Sequence, residues 1–258
     1  MFLIIYIYMK KNLLDLFSGT HSVGNVAKDE YNVVSLDRDL KADIMEDIMT
    51  WNYKIYPKNH FYIITASPVC LYWSKLRNCW IGRKCRAIHP TETITKDHIL
   101  NDIKKYGEPM VDKIFEIIEY FEPKYYWIEN PYTGKMKEYI EKKYKKYNIY
   151  YDVDYCKYSE WGYKKKTRFW TNIKDFKPKI CKNDCNNIII ENGKKQHKLV
   201  LGNGYEIING IKTLVNTKEK RDKLRESKKI RKKLIMSVKL ERYRIPELLI
   251  KELLEKCI

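Results

Sequence analysis

Apolar residues in the first two-thirds of the chain form short runs that alternate with stripes of helical spacing. Leu13 to Phe17 reads as a buried strand running into Ser18-Gly19-Thr20, and Val23 to Tyr31 then reads as a helix. Asn32 to Leu36 is a second strand, ending at Asp37, and Phe61 to Ala66 is a third, ending at Ser67-Pro68. Between Glu108 and Phe121 the residues Met110, Val111, Ile114, Ile117 and Ile118 make one helical stripe. Tyr125 to Ile128 follows as a strand ending in Glu129-Asn130-Pro131, and Lys135 to Tyr147 reads as a charged, exposed helix. Strands alternating with helices imply an α/β fold with a doubly wound, mostly parallel sheet, and such sheets bind ligands at the carboxyl ends of their strands.

Composition narrows the partner. The 258 residues can bury one substantial core and a small appended lobe. Lysine and arginine total 51 against 33 acids, a net charge of +18, which suits a protein that meets a polyanion; codon bias in an AT-rich genome would produce part of the same signal. Seven cysteines without regular spacing point to a reducing compartment rather than a disulfide scaffold. The apolar opening from Met1 to Met9 is much shorter than the ~20 residues a bilayer span needs, so no membrane anchor is expected, and either methionine could be the start.

Candidate chemistry clusters at the strand ends. Asp15-Leu16-Phe17-Ser18-Gly19-Thr20-His21-Ser22-Val23-Gly24 puts a glycine turn between strand and helix, where backbone N–H groups can face a nucleotide-like ligand; a plain connection would look similar. Asp37 could accept two ribose hydroxyls, and the loop beyond it carries Asp43 and Asp47-Ile48, a possible acceptor for an adenine amino group. In Ala66-Ser67-Pro68-Val69-Cys70 a thiol stands where a nucleophile could work, although an isolated cysteine is ordinarily a small buried hydrophobe. Glu129 closes the next strand, where a salt bridge would be the bland alternative. Gly162 to Asn172 then carries Lys164, Lys165, Lys166 and Arg168, with alternation sending Lys166 and Arg168 to one face.

Together these segments resemble the cytosine-5 DNA methyltransferases, and phage and large-virus members in particular. Asp15 to Gly24 is similar to that family's first motif, Ser67 to Cys70 to its nucleophile loop, Glu129-Asn130 to its Glu-Asn pair, and Lys164, Lys166 and Arg168 to its Gln-x-Arg-x-Arg motif. The resemblance implies a Rossmann-like fold and S-adenosyl-L-methionine held by Asp15, Phe17, Ser18, Gly19, Thr20, Asp37, Asp47, Ile48 and Pro68. It also implies catalysis by Cys70 as nucleophile, Glu129 at the cytosine amino group and N3, and Arg168 with Lys166 near O2. Three positions depart from the family: His21 replaces a glycine, Arg38 an aromatic, and Val69 the proline before the cysteine.

The implied organisation is a catalytic domain at residues 1–173, a small target-recognition-like segment at 174–235, and a return at 236–258 through an amphipathic helix from Pro246 to Cys257 that packs near the donor pocket. Lys218 to Lys233 would contact phosphates. Cys181, Cys185 and His197 offer three metal ligands, but a fourth is missing and the spacing fits no strong zinc pattern, so no metal is expected. The expected activity is cytosine-5 methylation of double-stranded DNA with a flipped base, by an intracellular monomer in the cytoplasm or nucleus of a host cell. A degenerate relative that binds without turnover, and an RNA cytosine-5 methyltransferase, are the alternatives.

Overall fold

The computed structural model describes residues 10–85, 88–191, 193–198, 205–208, 211–214 and 243–257. The opening run from Met1 to Met9 and the basic run from Lys218 to Lys233 lie outside the described residues. A six-stranded sheet carries the molecule, formed by β1 (Lys11–Leu16), β2 (Tyr31–Leu36), β3 (Ile63–Ala66), β6 (Tyr125–Pro131), β7 (Tyr150–Asp154) and β8 (Lys166–Thr171). Their spatial order is β2-β1-β3-β6-β8-β7. The first four run parallel, whereas β8 is antiparallel to both of its neighbours. The hairpins β4 (Lys84–Cys85) with β5 (His89–Thr93), β9 (Ile188–Glu191) with β10 (Lys194–His197), and β11 (Tyr205–Ile208) with β12 (Ile211–Leu214) complete the strands described.

The pleat sends successive side chains to opposite faces, and both faces are covered. Leu14, Leu16, Ile64, Ile128 and Trp170 face α3 (Glu108–Phe121), whose Val111, Ile114, Phe115, Ile117, Ile118 and Phe121 are buried as its helical stripe requires. Leu13, Ile63, Trp127, Val153 and Phe169 lie on the other face, with Val23 and Ala27 of α1 (Ser22–Ala27) and with α5 (Glu247–Leu254). The C-terminal helix thus returns to the first βα unit, and the Ile245 amide donates to Ser22 Oγ at 3.1 Å.

The helices differ from the sequence expectation in three places. The first helix stops at Ala27 because Tyr31 is needed as the buried first residue of β2, in register with Lys11. The charged helix divides into α4 (Met136–Lys143) and a 3-10 turn, Lys145–Tyr147. An unforeseen α2 (Lys96–Asp102), opened by a Thr95–His98 capping box, runs through a π-helical turn at Ile103–Gly107 into α3. Gly107 lets the Trp73 indole pack close against the helix, since a Cβ there would lie 3.1 Å from the ring. Asp102 pairs with the buried Arg77, anchoring the 3-10 segment Lys75–Trp80 that follows the Cys70 loop.

Because Leu249 is fully buried under the sheet, Leu249→Ala is expected to lower the unfolding free energy by about 2–5 kcal/mol in urea titration. A change within experimental error would mean that α5 is not part of the cooperative core.

Candidate active site

A cavity of about 1630 Å³ opens at the carboxyl ends of β1, β2, β3 and β6. This is where a doubly wound sheet leaves a crevice, and its volume exceeds the roughly 300–1,000 Å³ of an ordinary small-molecule site. One end is built by the turn after β1. Phe17, Gly19 and His21 take left-handed backbone angles, with φ of 58°, 52° and 55°. Gly19 adopts that conformation without the strain a side chain would bring. Its amide donates to Asp37 Oδ2 at 2.9 Å, locking the turn to the end of β2.

That bond network corrects two expectations. The amides of Ser18, Gly19 and His21 are consumed inside the turn, by Leu36 O, Asp37 and Ser18 O, and do not face a ligand. Asp37 also accepts the amides of Asp39 and Leu40 on Oδ1, both at 2.9 Å. A carboxylate offers about four lone-pair sites, so Asp37 keeps room for one hydroxyl donor rather than two. Asp47 and Ile48 do line the cavity, but Arg38 reaches Asp47 Oδ2 at 3.2 Å, so an amino group arriving there shares that oxygen with a guanidinium. Thr20 turns to Ser22 Oγ at 2.9 Å and does not line the cavity.

The residues present suit S-adenosylmethionine, a ligand with an apolar adenosine body and cationic sulfonium and ammonium groups. Asp15 is 3 % exposed at the cavity floor; its Oδ1 accepts from Thr65 Oγ1 at 2.6 Å while Oδ2 has no partner. Ser18 Oγ is likewise buried and unpartnered. Burial raises the Asp15 carboxyl from 3.8 to about 6. A cation beside it would be welcome electrostatically, and Phe17, Leu36, Ile48, Met49 and Pro68 supply apolar wall.

The other end of the cavity holds Cys70, Glu129 and Lys164 to Lys166. The loop bearing Cys70 is fixed from β6, where Asn130 Nδ2 donates to Pro68 O at 3.0 Å. Glu129 Oε1 accepts from the buried Tyr155 hydroxyl at 3.1 Å and lies 3.5 Å from Lys165 Nζ. Burial and the Glu129 charge push the Cys70 thiol above its ordinary value, and Lys165 pulls in the opposite direction.

Arg168 is elsewhere, which corrects the expectation drawn for it. In register it opposes Asn130, one residue off Glu129, so the pleat directs it to the opposite face. There it forms a bidentate pair with Asp152 at 2.6 and 2.9 Å, with its guanidinium 3.9 Å from the Tyr150 ring centroid. Lys166 follows the same alternation onto Tyr132, at 3.8 Å, but remains in the cavity wall. The cation beside Glu129 is therefore Lys165. Sequence reasoning missed it because it lies just before β8, where strand parity does not apply, and missed Tyr155 because β7 carried no clear pattern. The missing fourth partner of Cys181, Cys185 and His197 also appears: Cys156, on the turn after β7. Among the described residues, no helix is long and apolar enough to cross a membrane.

A mostly parallel sheet with helices on both faces and a crevice at its strand ends is the doubly wound, Rossmann-like architecture. No family model matches the chain. It is 41% identical over 181 residues to a "Probable DNA (cytosine-5)-methyltransferase" of Frog virus 3 (isolate Goorha), covering 68% of this chain and 78% of that one. A DNA modification methyltransferase encoded within an Escherichia coli prophage aligns at 16% identity and TM-score 0.43, over 66% of this chain and 51% of its own. Entamoeba histolytica EhMeth aligns at 15% identity and TM-score 0.42, over 67% of this chain and 56% of its own. This chain thus spans just over half the length of those two solved structures. By its kinship with the viral protein, the chain belongs to the DNA (cytosine-5)-methyltransferase family.

Two outcomes follow from the buried charges. Asp15 holds its proton more tightly folded than unfolded, so its contribution to stability is full below pH ~4 and is lost as pH rises through ~6. Asp15→Asn should remove that decline and raise the unfolding free energy at pH 7 by up to about 3 kcal/mol relative to wild type; an unchanged pH profile by calorimetry would refute the assignment. Iodoacetamide labelling of Cys70 should shift to lower pH in Glu129→Gln and to higher pH in Lys165→Met, and coincident profiles would show that neither charge reaches the sulfur.

Proposed function

We propose that the protein transfers the methyl group of S-adenosylmethionine to carbon 5 of cytosine in DNA through a covalent adduct with Cys70. The observation that carries this reading is that Cys70 and Glu129 line the same cavity as the Phe17–Gly19 turn, Asp15 and Asp37. Asp15, Ser18, Phe17, Asp37, Asp47, Ile48 and Pro68 would hold the donor, which supplies an electrophilic methyl group. The net charge of +18 favours a polyanionic partner. Carbon 6 of a stacked cytosine is out of reach, so the base must swing out of the duplex.

Carbon 5 of cytosine is too electron-poor to take a methyl group unaided. Cys70 gives up its thiol proton to solvent and bonds to carbon 6, while a protonated Glu129 donates to N3 and accepts the exocyclic amino group. The electron pair gathered at carbon 5 would take the donor's methyl group as the sulfur–methyl bond breaks, leaving a neutral thioether. The carbon-5 proton then leaves to water, N3 returns its proton to Glu129, and the sulfur–carbon bond breaks. Lys165 helps twice: it favours the thiolate, and its charge lies where ring O2 or a neighbouring phosphate could be met. After burial, the Glu129 charge is the next cause that holds the thiol above its ordinary value, so removing that charge would favour the thiolate. Tyr155 and Asn130 act as positioning residues, one on Glu129 and the other on the loop of Cys70.

Incubation with 5-fluorocytosine DNA and donor should trap a denaturation-stable complex in which carbon 5 carries both methyl and fluorine. Cys70→Ala should abolish the complex, and Glu129→Gln should slow it by ~10²–10⁴-fold. A trap on RNA alone would reassign the polymer, and no trap on any nucleic acid would sink the covalent mechanism.

A further inference from the structure

Behind the lysine wall of the cavity, three thiols and an imidazole converge from three separate stretches of chain. Cys156 lies on the 3-10 turn Tyr155–Lys157 after β7, Cys181 and Cys185 on a loop, and His197 at the end of β10. Their Sγ and nitrogen atoms all lie within 4.8 Å of one another. His197 Nε2 is 3.6 Å from Cys181 Sγ and 3.4 Å from Cys185 Sγ. A tetrahedral zinc ion with bonds of about 2.3 Å to sulfur and 2.05 Å to nitrogen sets the sulfur–nitrogen edge near 3.6 Å. The two sulfur–nitrogen separations match that edge to within 0.2 Å.

We propose that Cys156, Cys181, Cys185 and His197 form a structural zinc site. The ligand set is closed, three thiolates and one neutral imidazole, and leaves no position for substrate. Soft sulfur donors in tetrahedral array select zinc over magnesium or calcium.

The surroundings are built to hold these ligands in place. Cys156 and Cys181 are buried, and the Cys181 amide donates to Asp154 Oδ2 at 2.8 Å. Asn187, 1 % exposed, ties the loop to the turn: its Nδ2 donates to Cys156 O at 3.1 Å and to Ser159 O at 2.8 Å, and its Oδ1 accepts the Gly162 amide at 3.1 Å. Its own carbonyl accepts the Lys198 amide at 2.9 Å, which closes the β9–β10 hairpin and brings His197 back to the cysteines. Lys164 and Lys157 stand by the cluster, each in an ion pair: Lys164 Nζ donates to Cys181 O at 2.9 Å and lies 3.4 Å from Asp154, and Lys157 Nζ lies 3.0 Å from Asp184.

The consequence is mechanical. Lys164, Lys165, Gln196, His197 and Lys198 all line the candidate active-site cavity, so an ion at this point staples the segment after residue 174 to the strand ends that carry the catalytic carboxylate's neighbours. This proposal does not require that the chain methylate anything.

The test is metal analysis of the full-length protein purified under reducing conditions. One zinc per chain is expected, and Cys181→Ser and His197→Ala should each weaken zinc retention by about tenfold or more, while Cys79→Ser, at an exposed thiol away from the cluster, keeps it. Cobalt substitution of the wild-type chain needs no variant to fold, and should give a thiolate-to-cobalt charge-transfer band with the intense visible bands of tetrahedral Co²⁺. Substoichiometric zinc after reconstitution, a cobalt form without those bands, a disulfide among the three cysteines, or equal zinc loss in Cys79→Ser would overturn the assignment.

Discussion

The candidate active site depends above all on the pairing of β3 with β6. Ala66 sits opposite Ile128 in parallel register, so the two strands end side by side and the loops leaving them, Ser67 to Cys70 and Glu129 to Pro131, begin at one level. The Asn130 amide then grips Pro68 O and fixes the thiol-bearing loop over the carboxylate. A slip of one residue in that register would reverse the faces of Glu129 and Asn130, sending the carboxylate away from Cys70 and the brace away from Pro68. Parallel pairing needs a crossover, and α3 with its buried stripe supplies it; the site therefore rests on the same packing that makes the core.

Several charges are placed where water cannot screen them fully. Asp15 lies buried at one end of the cavity, and Glu129 with Lys165 at the other. Burial is unfavourable for the unpaired Asp15 carboxylate and for the Cys70 thiolate alike. A cation bound beside Asp15 would offset the first penalty, and neutralising Glu129 would offset part of the second.

In the segment beyond Phe176 and before α5, the described residues are short strands on polar loops. What joins it to the main body is a set of directed contacts: Asn187 to the Cys156 turn, Cys181 to Asp154, Lys164 to Cys181, and the converging thiols. A ligand cluster suits such a segment, because a few strong bonds replace the hydrophobic area it lacks.

The sequence alone determined the layered plan. Alternating apolar runs and helical stripes reported strands and helices because burial on one face imposes those periods, and the motifs at the strand ends of β1, β3 and β6 named Asp15, Gly19, Cys70 and Glu129 because the parallel topology gathers all such ends at one edge. Only the tertiary structure decided what depends on strand parity and on contacts between distant stretches. It turned Arg168 to Asp152 on the far face and brought Lys165 to Glu129, a distinction of one residue at the edge of β8 that composition does not encode. It tied the Gly19 amide to Asp37, the Ser18 and His21 amides to backbone carbonyls, and the amides of Asp39 and Leu40 to the same Asp37 carboxylate. It also brought Cys156 to Cys181, Cys185 and His197, since a residue on the turn after β7 and a hairpin beyond β8 become neighbours only when the antiparallel β7–β8 pair closes.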